Sequence, residues 1–553
     1  MQSIINSNIF SDAYWEAMGA GRFMWGVIIV LMIGTMLILA NILRRKVKIF
    51  RRALMPTAVI AGLIFLIIKE IVFATTNVQG IYIDRIYEYV SGERVYTNTL
   101  NFGDLFEGVL QGIIIHALPI AFIALGLRDK KNFSKEKEGE IKLTGKRAGP
   151  LRSGSVLVST YMVQALVGLT VTIVLFSFIG DLLPGAGLFL PIGFGQGPPQ
   201  AFAMGDIWND RLRDGYYAHV NYRNFALTIA AFGFLFSSIP GVIMVNRIAK
   251  KKGITRAKDE FQTVGDTTPE QFESPDEVPL SESIDKFTLQ VCIVLATYLI
   301  TIGLIFMIDI IFRASSIEFL IGLIPTFWGF AFMIAMLVAF VVKAIINKLR
   351  KKGIMNRKYT NTYMMNRIAG LAFDVSIVCA LALISVVALG LLWVPVLLMA
   401  VIGGVVTALW VRFVTKRIYP EYKDEAFLAM YGLLTGTIAC GTILSREIDP
   451  QFKSPATEDM VIGSAGAVAL SFPLIILVPM AADGNNFIWI FVVLATYLAL
   501  LTCYILNVHH KIFKKKGTIL VDDVLDAENS DEVDINADLI GIDNYNKSDK
   551  LNE

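Results

Sequence analysis

The residues best suited to chemistry begin with a glycine-rich stretch that reads LPIGFGQGPPQA over residues 190–201. Glycines at alternate positions let the backbone approach a ligand closely. Gln196 and Gln200 add amide donors and acceptors without the cost of a buried charge. The stretch therefore predicts a binding site for a small molecule or an ion, with contributions from Gly193, Gly195, Gln196, Gly197 and Gln200.

A second stretch, over residues 431–442, reads YGLLTGTIACGT and interleaves glycines with threonines. Hydroxyl oxygens, and carbonyl oxygens freed from helical hydrogen bonds, are hard donors of the kind that a sodium ion needs. Amide groups exposed where helices break suit an anionic carboxylate. The expected contributors are Thr435, Gly436, Thr437 and Thr442. For both stretches the alternative is close packing of small residues between helices.

Charged residues in or beside apolar sequence are further candidates. Arg446 follows the second stretch, where it either pairs with a substrate carboxylate or serves as a positive charge at the inner surface. Asp374 lies in the first turns of an apolar helix, and acidic groups inside a membrane are costly and commonly functional. An acid at the membrane interface is the alternative for Asp374, and it is the favoured one for Glu107.

The composition places these candidates in a membrane protein. Of 553 residues, 55% are hydrophobic and 18% are charged, whereas soluble proteins carry about 25% charged residues. Apolar runs of about 20 residues recur, each long enough to cross a bilayer. These features exclude a soluble enzyme, a disordered chain and a disulfide-stapled secreted protein. The basic clusters adjoin apolar segments, so membrane topology explains them without nucleic-acid binding.

Eleven segments are predicted to be transmembrane helices, and the segments 184–209 and 424–447 are apolar but broken. Four prolines and five glycines between residues 184 and 199 interrupt the first broken segment. The predicted helices span residues 23–43, 53–75, 104–127, 155–178, 223–247, 288–312, 318–346, 369–390, 392–415, 456–482 and 485–508.

The distribution of Lys and Arg orients the helices. Six connections carry 37 of these residues, and the connections on the opposite side carry six. Basic connections usually face the cytoplasm, so in a plasma-membrane protein the N-terminus is predicted outside and the C-terminus in the cytoplasm. By parity, segment 184–209 must enter and leave on the outer face, and segment 424–447 on the inner face. Both are therefore predicted to be re-entrant loops; the alternative is a kinked full span.

The order of elements predicts an all-α polytopic fold with an inverted repeat. The two halves have their helices and one broken segment in the same order, but the second half has the opposite orientation in the membrane. This pattern is typical of secondary transporters. The predicted divisions are a first repeat at 1–247, a cytoplasmic linker at 248–287, a second repeat at 288–482, an extra transmembrane helix at 483–510 and an acidic cytoplasmic tail at 511–553.

Several motifs resemble the bacterial sodium/glutamate symporter family, the glutamate:sodium symporters. Where characterised members have a Gly-Gly-His-Gly-Thr pattern in the first loop, this chain has Phe194 and Gln196. The motifs are VQALVG at 163–168 with the loop at 193–201, Asp374-Val375-Ser376, LTGT at 434–437, REIDP at 446–450, PATED at 455–459, Gly463-Ser464 and residues 56–62.

The resemblance implies a homodimer in which a transport domain moves against a scaffold domain by an elevator motion. It implies symport of glutamate or a related small carboxylate with sodium, in contact with membrane lipid, without enzymatic activity and without a cofactor other than the coupling ion. The expected substrate contacts are Gly195, Gln196, Gly197, Gln200, Thr435, Gly436, Thr437 and Arg446. The expected sodium contacts are Gly193, Asp374, Ser376 and Thr442.

Three other classes of function compete with a symporter. An ion channel also uses re-entrant loops, but its filter loops usually repeat one sequence around a pore axis. An intramembrane enzyme is disfavoured because no nucleophile elbow or His-Glu-x-x-His motif is present. An ATP-driven pump would need a phosphate-binding loop of the Gly-x-x-x-x-Gly-Lys type, which the sequence lacks.

Overall fold

The computed structural model describes residues 22–52, 54–90, 93–128, 149–180, 182–253, 286–315, 317–355, 359–449, 453–483 and 487–508. These residues are mainly helical, with one antiparallel hairpin of strands β1 (Tyr82–Val90) and β2 (Glu93–Asn101). The N-terminal residues 1–21, most of the predicted linker and the predicted acidic tail lie outside the described residues.

The longer helices are labelled in chain order, and short helical turns are left without labels. They are α1 Arg22–Lys46, α2 Thr57–Thr75, α3 Phe102–Leu127, α4 Pro150–Phe176, α5 Pro198–Arg211, α6 Tyr222–Lys252, α7 Lys286–Ala314, α8 Glu318–Gly329, α9 Ala331–Lys351, α10 Thr362–Ala382, α11 Trp393–Ile418, α12 Lys423–Leu434, α13 Ile438–Arg446, α14 Ala456–Leu470, α15 Phe472–Met480 and α16 Phe487–Val508.

Ten helices in the described part of the chain are long and apolar enough to cross a membrane. They are α1, α2, α3, α4, α6, α7, α9, α10, α11 and α16. Helices α14 and α15 meet at an angle of 54° and provide an eleventh candidate span if they are counted together. The prediction of a helical, multi-pass membrane protein is confirmed at this level.

Three predicted helices have different limits in the structure, and one of them, predicted at 456–482, is divided between α14 and α15. The segment predicted as one helix at 318–346 is divided between α8 and α9, where Gly329 packs so closely on α5 that a Cβ would lie 2.5 Å from Cδ1 of Ile207. The helix predicted at 369–390 is α10, which starts earlier because the side chain of Asn361 caps it by accepting the N–H of Met364 at 3.0 Å. Asn366 and Arg367 in its second turn concealed that start in the hydropathy pattern.

Helix α4 lies at the centre of one packed group and contacts both α11 and α14. Glycines bring α4 and α14 together almost backbone to backbone. A Cβ on Gly154 would lie 2.8 Å from the carbonyl carbon of Gly466, and one on Gly466 would lie 2.0 Å from the carbonyl oxygen of Pro150. Small residues at such contacts allow the close approach on which helix packing in membranes depends.

A second packed group joins α3 to α10 and α9. The ring of Phe122 lies between those of Phe332 and Phe373, at centroid distances of 5.1 and 5.8 Å. Lys69 of α2, only 7% exposed, donates to the carbonyl oxygen of Ile384 at 2.5 Å, just beyond the end of α10. A cation is favourable there because the C-terminal end of a helix carries partial negative charge.

The contact between α4 and α14 yields a stability prediction. Gly466→Ala should lower the melting temperature of the purified protein, because the added Cβ meets the Pro150 carbonyl and overpacking costs about 1–3 kcal/mol. Gly303→Ala is the matched control, since a Cβ there meets nothing within 4 Å and alanine favours a helix. Equal melting temperatures for the two variants would contradict the predicted contact.

Candidate functional site

The first glycine-rich stretch forms a broken and buried segment. Short helical turns run from Pro184 to Gln196, the last of them a π-helical turn, and α5 begins at Pro198. Gly197, between the two parts, has a φ of +93°, a left-handed conformation that favours glycine. From residue 182 to 205 every residue except Gln196 is buried. A break at this depth leaves backbone groups that neighbouring side chains must satisfy.

Side chains of α4 and α6 satisfy several of those groups. The hydroxyl of Thr172 donates to the carbonyl oxygen of Pro184 at 2.5 Å, and the N–H of Leu183 donates to the hydroxyl oxygen of Tyr222 at 3.1 Å. Tyr161 donates to the carbonyl oxygen of Gly195 at 3.1 Å. The first broken segment is therefore held along its length by its neighbours.

The second stretch forms helices α12 and α13, joined at residues 435–437. The two helices touch through glycines: a Cβ on Gly432 would lie 2.6 Å from the Cα of Gly441. Thr437 stands at the start of α13, but its side chain makes no capping hydrogen bond, and its hydroxyl donates instead to Sγ of Cys440 at 3.6 Å. The first N–H groups of α13 thus lack a side-chain cap.

The two broken segments meet at their tips. A Cβ on Gly197 would lie 3.7 Å from the carbonyl oxygen of Gly436 and 3.9 Å from Cγ2 of Thr437. Helix α6 contacts both segments nearby, because a Cβ on Gly233 would lie 2.7 Å from the carbonyl oxygen of Thr435 and 3.1 Å from Cδ1 of Phe194. Residues from two stretches more than 230 positions apart in sequence therefore share one small region.

Gln164 of α4 links the tips directly. Its Nε2 donates to the carbonyl oxygen of Leu434 at 2.9 Å and to the hydroxyl of Thr407 on α11 at 3.0 Å. Its Oε1 faces the first segment, since a Cβ on Gly195 would lie 3.3 Å from that oxygen. Gln164 was not among the predicted site residues, although an amide inside an otherwise apolar helix was the signal that could have identified it.

Two buried amide oxygens accept no hydrogen bond from the described residues: Oε1 of Gln164 at the junction, and Oε1 of Gln200 in the first turn of α5. The residues are 1% and 7% exposed. A buried acceptor without a donor costs about 1–3 kcal/mol, so the free oxygen of Gln164 marks a place at the junction for a cation or a donor group. The assigned orientation of Gln164 is the only reasonable one, because a flipped amide would put its oxygen against the Leu434 carbonyl.

The starts of the two helices at the junction differ in their donors. Helix α5 begins with Pro198 and Pro199, which have no N–H group. Helix α13 begins with Ile438, so its first turn keeps its amide donors and the positive end of its dipole points at the junction. The free acceptor of Gln164 therefore lies on the side of the first segment, and the uncapped donors belong to α13.

The structure brings most of the predicted site residues together. Gly195 and Gly197, with Gln196 between them and Gln200 in the following turn of α5, come close to the 435–437 connection, where Gly197 faces Gly436 and Thr437. Gly193 packs on α6, where a Cβ would lie 2.9 Å from the N atom of Ala230. The hydroxyl of Thr435 donates to the carbonyl oxygen of Tyr431 at 2.7 Å, and that of Thr442 to Ile438 at 2.8 Å.

Three predicted residues lie away from the tips. Asp374 and Ser376 belong to α10, which packs mainly on α2, α3 and α5; Asp374 is exposed, and the hydroxyl of Ser376 donates to the carbonyl oxygen of Ala372 at 2.7 Å. Arg446 is exposed at the far end of α13, about 13 Å from Thr437 by the helical rise. The structure thus places these three residues away from the junction.

Ion pairs fix the entry to the second broken segment. Asp424 of α12 pairs with Arg412 of α11 at 2.6 Å, and Glu425 pairs with Lys252 of α6 at 2.5 Å. The guanidinium of Arg412 also lies over the ring of Phe427, at 5.2 Å from its centroid. These contacts attach α12 to two neighbouring helices.

We expect Asp424→Asn and Arg412→Met each to lower the free energy of unfolding. The double variant should lose less of this free energy than the sum of the two single losses. The coupling should be about 0.5–3 kcal/mol, because the charges share one partly buried network. Denaturation in detergent micelles measures it. The exposed pair of Asp210 and Arg213 is the control and should show almost no coupling. Additive effects at Arg412 and Asp424 would contradict the prediction.

Comparison with known proteins adds no assignment to this geometry. No known family model matches the chain, and no curated protein is significantly similar to it. The resemblance to glutamate:sodium symporters stays a prediction from the quoted motifs.

Proposed function

We propose that the protein is a secondary active transporter that carries glutamate or a related small carboxylate across the plasma membrane in symport with sodium. The observation that carries the proposal is the meeting of two broken, buried segments around the amide of Gln164. Irregular backbone at membrane depth is tolerated only where protein buries it or a cavity lies beside it. Discontinuous helices of this kind typically hold substrates and coupling ions.

The acceptor-rich side of the junction suits the coupling ion. Oε1 of Gln164 is a hard, neutral oxygen, and the carbonyl oxygen of Gly436 lies close to Gly197. In the proposal, Oε1 of Gln200 in the first turn of α5 binds the same ion. A sodium ion would supply the positive charge that these buried acceptors lack. Uncharged protein oxygens also fit a coupling role. A site built from them has no fixed negative charge, so it would not hold the sodium ion without the anionic co-substrate.

The donor-rich side suits the carboxylate. The uncapped first turn of α13 presents amide groups and the positive end of a helix dipole to the junction. Bound sodium beside it would add further attraction. Each ligand would thus raise the affinity for the other by the same factor, and this reciprocal linkage is what symport requires.

The packing of the helices is in keeping with the rest of the proposal. The pairs equated by the proposed inverted repeat, α3 with α10 and α4 with α11, contact one another, as a two-fold axis in the membrane plane would produce. In the proposed elevator, the group around α4 carries the site and the group around α3 and α10 is the scaffold of a homodimer. The proposed topology has the N-terminus outside and the C-terminus in the cytoplasm.

Purified protein in proteoliposomes tests the proposal. An inward sodium gradient should drive accumulation of labelled glutamate above equilibrium, and replacing sodium by choline on both sides should abolish it. Accumulation of another carboxylate would change the substrate and keep the mechanism. A sodium current without accumulation of any solute would overturn the transporter proposal in favour of a channel.

Gln164→Met should abolish sodium-dependent uptake, since it removes both the link to Leu434 and the buried acceptor oxygen. It should also abolish the rise in melting temperature that sodium with substrate produces in the unmodified protein. Gln290→Met is the matched control, because Gln290 is also buried and hydrogen-bonded but lies in the other packed group, on α7. Equal losses in the two variants would assign Gln164 a structural role alone.

A further inference from the structure

A cavity of about 390 Å³ lies between α5 and a wall formed by α3, α8 and α9. Its inner surface is apolar and includes Ile114, Leu118, Phe202 and Phe332. Charged side chains occur only towards the end where α5 and α7 finish. The cavity stops short of the junction of the two broken segments, so it is separate from the proposed transport site.

The exposure of one lining residue indicates that the cavity opens sideways at membrane depth. Ile115 lines it and is 41% exposed, and this residue lies about 20 Å along α3 from the start of that helix by the helical rise. The medium that meets the opening of a membrane-spanning helix at this depth is hydrocarbon. Water would find almost no hydrogen-bond partners on the apolar surface inside.

We propose that this cavity binds a phospholipid, with one acyl chain inserted between α5 and the wall of α3, α8 and α9. An unfilled space of this size would deprive its lining of dispersion contacts, which a flexible hydrocarbon chain restores. The two walls touch where Ile207 of α5 packs on Gly329 of α8.

The charges at the rim select the headgroup. Asp206 and Asp210 lie on the α5 side, and Arg313 lies on the opposite side. Each already has one partner: Asp206 has Arg223 at 3.5 Å, Arg313 has Asp309 at 2.5 Å, and Asp210 has Arg213. A rim with both signs fits the ammonium and phosphate of phosphatidylethanolamine, whereas an anionic headgroup would meet two carboxylates.

A lipid in this position would contact both packed groups at once. Helix α5 follows directly on the first broken segment, while α3 and α9 belong to the group around α10. The lipid would therefore oppose displacement of α5 from that group. Binding itself does not depend on the transport proposal, so the two can fail separately.

Fluorescence quenching tests the proposal, because Trp328 lines the cavity. The protein is reconstituted with phosphatidylethanolamine brominated in its acyl chains, and the difference from Trp328→Phe isolates the signal of Trp328. We expect strong quenching, and loss of most of it in Ala203→Phe, which fills the cavity. Leu299→Phe, on the exposed side of α7, is the control and should leave the quenching unchanged.

A second cavity-filling variant, Ala331→Leu, and the melting temperatures of all variants guard against misfolding. Unchanged quenching in a folded filled variant would overturn the lipid site. Brominated phosphatidylglycerol tests the headgroup: weaker quenching than with phosphatidylethanolamine is expected, and Asp206→Asn with Asp210→Asn should remove the difference. Equal quenching by the two lipids in the unmodified protein would overturn the headgroup assignment.

Discussion

The structure depends on one constraint, which is that backbone groups released from a helix inside a membrane must find partners within the protein. Two apolar segments are broken, and side chains from α4 and α6 supply the missing hydrogen bonds. Gln164 donates to Leu434, Thr172 donates to Pro184, and Tyr222 accepts from Leu183. Helix α4 is therefore both the structural centre of its group and the frame on which the junction is assembled.

Close approach is the second requirement, and glycine provides it. The backbones of Gly168 and Gly187 are so near that a Cβ on either would lie within about 2 Å of the other residue. Contacts of this kind leave no room for side chains, so the polar groups that remain at the junction are few and belong to defined positions. The stability of this group and the geometry of its site thus have a common origin in the same small residues.

Much of this architecture follows from the sequence, because apolar length and helix-breaking residues are local signals. The long helices and both breaks were predicted near their observed positions. The division at Phe330 was missed, because it depends on the packing of Gly329 against Ile207. Gln164 was missed as a site residue because a single amide in an apolar helix resembles a packing residue. Its role depends on Leu434, which is remote in sequence.

The pair Pro198 and Pro199 has a consequence for any ligand that spans the junction. Because the two helix starts differ in their amide groups, the junction has a direction. A molecule with its negative group at one end would be held in one sense and rejected when reversed. Two ligands of the same size and net charge could then be distinguished by which end carries the negative group.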